Sequence, residues 1–438
     1  MKITLVAPAS EVSRRVGRKP KGTSYFHYYK LGIATIAGAT PPDIEVEAID
    51  EIVDLWDPRT HETDAVGISV LTALAPRAYS IAAQFRERGI PVVLGGMHPT
   101  FLPAEAATHA DAIVMGQGEF VWEQVCRDLQ NNTLQPVYDS CTNPNEISVP
   151  RARREIFTNP KYPPLDIVQF SRGCIHKCRF CSVNAFFDGK YHWRPIDEVK
   201  AELATCTRKH LMVADDNLYG YREYCLEALA ALAPLGKYLG IQATVDMAFD
   251  QEVMDAAAAA KVGAIFVGIE SVVSESLAES AKWHNEVDKY ADAMAEFHRR
   301  GIFVEGGLMF GFDHDEPDVF ERTMKFVDNI RLDVAQVAFV TPMPGTVLFD
   351  RMQEEGRITD TNWAHYDCNH VVFRPTRMSA LELMNGVEWF REKYYSLTEI
   401  ARRARRGMRW FDPITLGTQI ALNWGFRRNH ELGLDYPP

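Results

Sequence analysis

The chain has 438 residues, enough for about three domains of ordinary size or for one large barrel with additions. Its 47 basic and 59 acidic residues leave a net charge of -12, and 46% of the chain is hydrophobic; this balance excludes disordered and collagen-like classes and offers no positive excess for nucleic acid or an acidic membrane surface. No apolar run reaches the about 18 to 20 residues of a membrane span, and MKITLVAPASEVSRR lacks a signal-peptide cleavage pattern, so a cytoplasmic protein is expected.

In the first 125 residues, short apolar runs at 3–7, 44–49, 65–70, 91–95 and 112–115 alternate with helical patterns at 29–37, 77–87 and 119–129. Strands that alternate with helices predict a parallel sheet covered on both faces, a doubly wound Rossmann-like domain over residues 1–135. Residues 136–164 lose the pattern and gain Asn, Pro and Thr (NPNEISVP, TNPKYPPL), and are read as a linker. From 165 the alternation restarts, with apolar runs at 166–170, 211–214, 239–243, 264–269, 302–309 and 334–340. The stretch 195–207 shows the helical logic between two of them: Pro195 in the first turn, Asp197 and Glu198 near the positive end of the dipole, and Ile196, Val199 and Leu203 on one face. Six such units over 165–350 predict an α/β partial barrel whose working face lies at the carboxyl ends of its strands. Residues 351–438 are expected to form a helical, substrate-shaping segment. Ser379 can cap a helix bearing Leu383, Val387 and Phe390, the five arginines of ARRARRGMRW read as a solvated helix face, and Trp389, Phe390, Tyr394, Tyr395, Trp410, Phe411 and Trp424 read as core.

Eight cysteines are too sparse for a disulfide scaffold, yet three of them stand together in SRGCIHKCRFCSVNAFF, a C-x3-C-x2-C directly after the first barrel strand. Cys174, Cys178 and Cys181 can wrap one iron–sulfur cluster and leave a fourth iron without a protein ligand, open to a substrate or cofactor. A zinc site with His176 or His192 as fourth ligand is the rival by residue type, but zinc sites usually show two paired spacings. Cys126, Cys141, Cys206, Cys225 and Cys368 lack metal-like spacing and are read as ordinary thiols.

This triplet, with an aromatic before its last cysteine and a six-unit β/α barrel following, resembles the radical S-adenosylmethionine (SAM) enzymes over roughly residues 160–350. The resemblance implies a [4Fe-4S] cluster held by the three cysteines, SAM chelated at the unique iron, and a 5'-deoxyadenosyl radical that abstracts hydrogen; the cofactor carries the chemistry and the barrel positions it. It further implies SAM contacts at Asp215, Asp216 and Asn217 in VADDN, at Gln242 with Thr244, at Glu270 and Ser271 in VGIES, and at Gly311 in GGLMFGF, with the backbone at Phe180 against adenine. Without the resemblance the acids after the second strand could equally cap a helix, and Gln242 could be polar filler. GFDHDEPDVFERTMKFV and TPMPGT resemble one large subgroup, which carries a cobalamin-binding domain ahead of the barrel. GISVLTA and VVLGGMHPT resemble its corrin-seating elements and assign Ser69, Leu71, Gly95 and Gly96 to cobalamin; small residues at neighbouring strand ends would admit a flat ligand. The Asp-x-His-x-x-Gly element that supplies a lower axial imidazole in many cobalamin proteins is absent, His27 is read as a surface or packing residue, and His98 as either a turn residue or a corrin or substrate contact.

The function implied is a cobalamin-dependent radical SAM methyltransferase acting on an unactivated carbon of a small or medium secondary metabolite, with an external electron donor such as a flavodoxin or ferredoxin and no nucleic-acid partner. The alternative is a radical SAM oxidoreductase or cyclase that binds cobalamin without methylating, or not at all; a non-catalytic iron–sulfur or corrinoid carrier is a third reading. No catalytic residue is assigned from sequence.

Overall fold

The computed structural model describes residues 1–17, 27–140, 144–282 and 284–433. Cys141 lies outside them. The first sheet comprises β1 (Lys2–Ala7), β2 (Glu45–Asp50), β3 (Ala65–Ser69), β4 (Val92–Gly95), β5 (Ala112–Gly116) and β6 (Val137–Ser140), all parallel in the order β2-β1-β3-β4-β5-β6. Alternating side chains feed two cores. Ile3 and Leu5 pack with Ile33 and Trp122 on one face, while Val6, Ile68 and Leu94 pack with Ile81 and Phe85 on the other. The strand order reverses between β1 and β3, and at such a switch point the carboxyl ends of neighbouring strands leave a crevice. The edge strand β6 lies within the stretch read as linker. Its sequence, VYDS, is half polar, because an edge strand has one neighbour and needs little apolar surface.

The second sheet contains β7 (Leu165–Val168), β10 (His210–Val213), β11 (Tyr238–Gln242), β12 (Val262–Glu270), β13 (Phe303–Phe310) and β14 (Val334–Phe339), all parallel and in sequential order, as in a partial barrel. Between β7 and β10 a short antiparallel pair, β8 (Ser171–Gly173) and β9 (Tyr191–Trp193), brackets the cysteine triplet. Helices on the outer face bury Val199, Ala228, Met254, Phe297 and Val327.

The carboxyl-terminal helices are Ala380–Tyr394, opened by a capping box of Ser379 and Glu382, then Leu397–Gly407 and Pro413–Glu431. The last of these closes the amino-terminal end of the barrel: Asn423 Nδ2 donates to the Asp333 carbonyl at 3.0 Å, and Phe411, Leu416 and Phe426 pack with Phe303 and Val334. One arginine departs from the solvated-face reading. Arg403 is buried, stacked 3.9 Å over Tyr394, and donates to Asn423 Oδ1 and the Tyr394 carbonyl. Arg402 and Arg406 remain toward solvent on Asp328. Phe390, Tyr394, Tyr395 and Phe411 are core as read, but Trp424 is exposed. Among the described residues no helix is long and apolar enough to cross a membrane.

Candidate functional site

The cysteine loop hangs between β8 and β9 at the carboxyl end of the barrel. Gly173, immediately before Cys174, has φ 78°, and a Cβ there would meet the Lys190 carbonyl of the opposing strand at 2.1 Å, so glycine is required for the loop to leave the hairpin. Cys174, Cys178 and Cys181 are all free and half-buried. Burial raises all three thiols, Cys178 to about 12. Among the described residues no three His, Cys, Asp or Glu side chains converge on a point that would hold a single metal ion. Three thiols in one loop, with no second paired spacing, suit the corners of a cluster better than one zinc ion. His192, the rival fourth ligand, is buried with Nδ1 at 2.6 Å from the Pro144 carbonyl, while His176 stacks on His284 with ring centroids 3.6 Å apart.

Behind the loop, the three residues after β10 do different work. Asp215 is fully enclosed, and both its oxygens accept from the loop's root: Oδ1 from Phe170 N–H and Oδ2 from Ser171 N–H, each at 2.8 Å, with the Ser171 hydroxyl also donating. The Asp215 carboxylate thus shapes the chain ahead of Cys174. Asp216 takes only Gly173 N–H, at 2.8 Å through Oδ2. Asn217 Nδ2 donates to Cys174 Sγ at 3.6 Å, and its Oδ1 accepts from Thr244 N–H. Burial lifts the two acids, Asp215 to about 7 and Asp216 to about 6.

Neighbouring strand ends complete the rim. Gln242 Nε2 donates to the Asp216 carbonyl at 2.9 Å, tying β11 to β10. Glu270 ends β12 at a register shift with φ 66° and pairs with Lys282 Nζ at 2.5 Å, both nearly buried. The Ser271 hydroxyl accepts from Val273 N–H and so shapes the following turn, with its own O–H left to donate. Gly311 and Phe180 line a small cavity with Phe312, Val340, Leu348 and Met352. A Cβ on Gly311 would strike Leu383 at 2.9 Å, so the glycine is required by packing on the carboxyl-terminal helix and not by a ligand alone.

The first domain presents its own crevice. Ser69, which ends β3, is exposed, and Leu71 just after it is 37% exposed, beside the switch point. Gly95 and Gly96 end the adjacent β4; Gly96 has φ 104°, and a Cβ there would lie 2.9 Å from the Val70 carbonyl. Bare backbone next to an exposed leucine and hydroxyl fits a broad flat ligand with a polar tail. His98 is not part of this surface. It is wholly buried, 2.8 Å from Tyr79 Oη, and Glu105 beside it accepts from both Tyr79 and Trp363 Nε1. His27 is likewise internal, 2.5 Å from Asp50.

Residues 168–327 match the radical SAM superfamily, and residues 21–125 match the B12 binding domain. The chain belongs to the radical SAM enzymes that carry a B12-binding domain. Bacteriochlorophyllide d C-8(2)-methyltransferase of Chlorobaculum tepidum is 27% identical over 429 residues, covering 92% of this chain and 95% of that protein. The C-12(1)-methyltransferase of the same organism is 27% identical over 377 residues, 82% of each. The solved structure of the radical SAM methyltransferase TsrM from Kitasatospora setae, with cobalamin and a [4Fe-4S] cluster bound, shares the fold: TM-score 0.66 over 98% of this chain and 97% of that one, at 14% identity.

Two features of this radical SAM enzyme escaped the sequence. Lys282 is buried beside Glu270, and its charge works against the burial that raises Cys178; nothing in AKWHN marks it. Arg172, two residues before Cys174, reaches into the B12-binding domain: Nη1 donates to Gln117 Oε1 at 2.8 Å and pairs with Glu119, while Nε donates to Gln169 Oε1 at 2.7 Å. The cysteine loop and the loop after β5 are therefore clamped together.

Gly96→Ala is expected to strain the β4 end by about 1–3 kcal/mol and to reduce the hydroxocobalamin that stays with the desalted protein, read as corrin absorbance per chain. Unchanged retention would remove Gly96 from the crevice.

Proposed function

We propose that this chain is a cobalamin-dependent radical SAM methyltransferase that methylates an unactivated carbon of a small or medium secondary-metabolite substrate. The observation that carries the reading is the Arg172 clamp, which ties the root of the cysteine loop to the loop after β5 of the B12-binding domain, as a reaction using both cofactors on one substrate requires. In this assignment Cys174, Cys178 and Cys181 hold the cluster, and Asp216, Asn217, Gln242 and Glu270 with Lys282 face SAM. Asp215 and Ser271 position the surrounding backbone, Phe180 and Gly311 border adenine, and Ser69, Leu71, Gly95 and Gly96 seat cobalamin. Bound together, these groups supply a carbon-centred radical and a methyl donor. The chain's own part is to place them, to hold the loop rigid through Asp215 and Asp216, and to exclude water behind β10. Residues 1–135, 165–350 and 351–438 act as the cobalamin, radical and substrate-shaping parts, in a cytoplasmic protein reduced by an external flavodoxin or ferredoxin.

The test is anaerobic reconstitution with iron, sulfide and hydroxocobalamin, followed by turnover of a candidate substrate with methyl-labelled SAM. The expected result is retained corrin absorbance and a label-bearing product, with 5'-deoxyadenosine and S-adenosylhomocysteine formed in equal amounts. 5'-Deoxyadenosine with an oxidised or cyclised product and no label transfer would establish the oxidoreductase reading instead.

A further inference from the structure

The six strands of the barrel have helices on one face only, and burial along them separates the faces. On β12, Ile265, Val267 and Ile269 are buried under helices, while Ala264, Phe266 and Gly268 between them stay partly open. The same alternation leaves Met212 on β10, Glu305 and Met309 on β13 and Gln336 on β14 partly open. The inner face of the partial barrel therefore lines a lumen whose side chains keep partial access to solvent, unlike the packed interior of a closed barrel. The final helix blocks its far end through Phe303 and Val334, so its mouth lies at the strand ends beneath the cysteine loop.

Glu305 stands inside this lumen. It is in register with Phe266, and through Phe266 with Gln242, so it occupies the layer of the residue that ties β11 to the Asp216 carbonyl. Most acids near the barrel's strands have partners: Asp215 and Asp216 in backbone N–H groups, Glu270 in Lys282, Glu202 in Arg194, Asp315 in Ser276 and Gly311, Asp333 in His298; Asp246, in the turn after β11 and not on a strand, keeps one buried oxygen without one. Glu305 has no hydrogen bond or ion pair with any described residue. Its charge is felt by the phenols of Tyr28 and Tyr395, and both are raised by it; the Tyr395 hydroxyl is turned to the Ala335 carbonyl. Burial alone pushes the Glu305 carboxyl up to about 7. A largely desolvated carboxyl without a partner among the described residues costs stability that a methionine of similar length would not.

We propose that Glu305 is the selectivity group of a substrate subsite in the barrel lumen, which takes a ligand bearing an amine cation flanked by apolar surface. This deepens the proposed function and rests on its placing of substrate at the lumen mouth. A desolvated carboxylate gains most from a charge-assisted hydrogen bond. Phe266, Met212 and Met309 would receive apolar surface around it, and aromatic faces favour organic cations. A single carboxylate among thioethers and a phenyl ring lacks the several oxygen ligands that calcium or magnesium demands.

The experiment uses the full chain without SAM, so that it is scored independently of methyl transfer. Benzylamine and benzyl alcohol are titrated calorimetrically into the wild type, Glu305→Gln and Glu305→Met, and the thermal unfolding of each protein is recorded. The amine should bind the wild type about tenfold or more tighter than the alcohol, and both variants should lose about tenfold or more of the amine affinity. Glu305→Met should unfold at a higher temperature than the wild type. Equal binding of amine and alcohol, undiminished amine binding by Glu305→Gln, or no amine binding by the wild type would each overturn the assignment. Unfolding of both variants at lower temperature with amine affinity intact would make Glu305 a structural residue. A subsite confirmed here would survive a finding that the reaction is oxidation and not methylation.

Discussion

Cys174→Ala is expected to abolish formation of 5'-deoxyadenosine and to remove the iron–sulfur absorption, while leaving the fold nearly unchanged. Loss of a residue that merely supports a metal ligand costs about 10- to 100-fold, and loss of a ligand from a cluster with only three protein thiolates should cost more, taking activity to background. The fold has little at stake. Cys174 is half-buried, and the contact it receives is a long one from the Asn217 amide, so the metal-free variant should unfold within about 1 kcal/mol of the wild type. Cys225→Ala is the control: that thiol is fully buried on the outer face and raised to about 12 by burial, so its loss should leave iron content unchanged. Iron per chain and 5'-deoxyadenosine after anaerobic reconstitution decide the matter, and persistent SAM cleavage in Cys174→Ala would refute the cluster assignment.

Lys282→Met should show the largest stability effect of any single change at the site. Lys282 and Glu270 are 9% and 11% exposed and 2.5 Å apart, so removing the cation strands a buried carboxylate, a loss of about 3–5 kcal/mol. Lys282→Met with Glu270→Gln should recover most of it, because the pair's cost is paid mainly in desolvation. Glu270 raises the folded pKa of Lys282, so the pair's contribution is complete below the unfolded lysine value of about 10.4 and disappears only as pH climbs through the higher folded value; the variant's deficit should be constant across neutral pH. The Lys282 charge also opposes the rise of the Cys174 and Cys178 thiols, so reconstitution of the variant should be slower at a given pH. Additive effects in the double-mutant cycle would show that the two residues do not act as a pair.

Local sequence carried much of the architecture. All six barrel strands fall at the expected runs, because each buries its outer face under the helix that follows it and that demand is written as apolar periodicity. The Ser379 cap is present as read for the same reason: a capping box involves residues three apart. β6 was missed because an edge strand leaves almost no apolar signature, and His98 could not be placed from GGMHPT because its fate depends on Glu105 and Trp363, far along the chain.

By itself, then, the sequence determined the order of elements, the two-part α/β plan and the cluster loop, since periodicity, caps and a tight cysteine spacing are satisfied within a few residues of one another. Only the tertiary structure decided which polar groups are spent on the protein and which remain for a ligand. Asp215 is consumed by the backbone of Phe170 and Ser171, Arg172 by Gln117 and Glu119, Arg403 by Asn423, and Glu305 by none of the described residues. A charge's availability depends on partners brought to it by folding, and on the water that folding removes, neither of which is encoded near the residue itself.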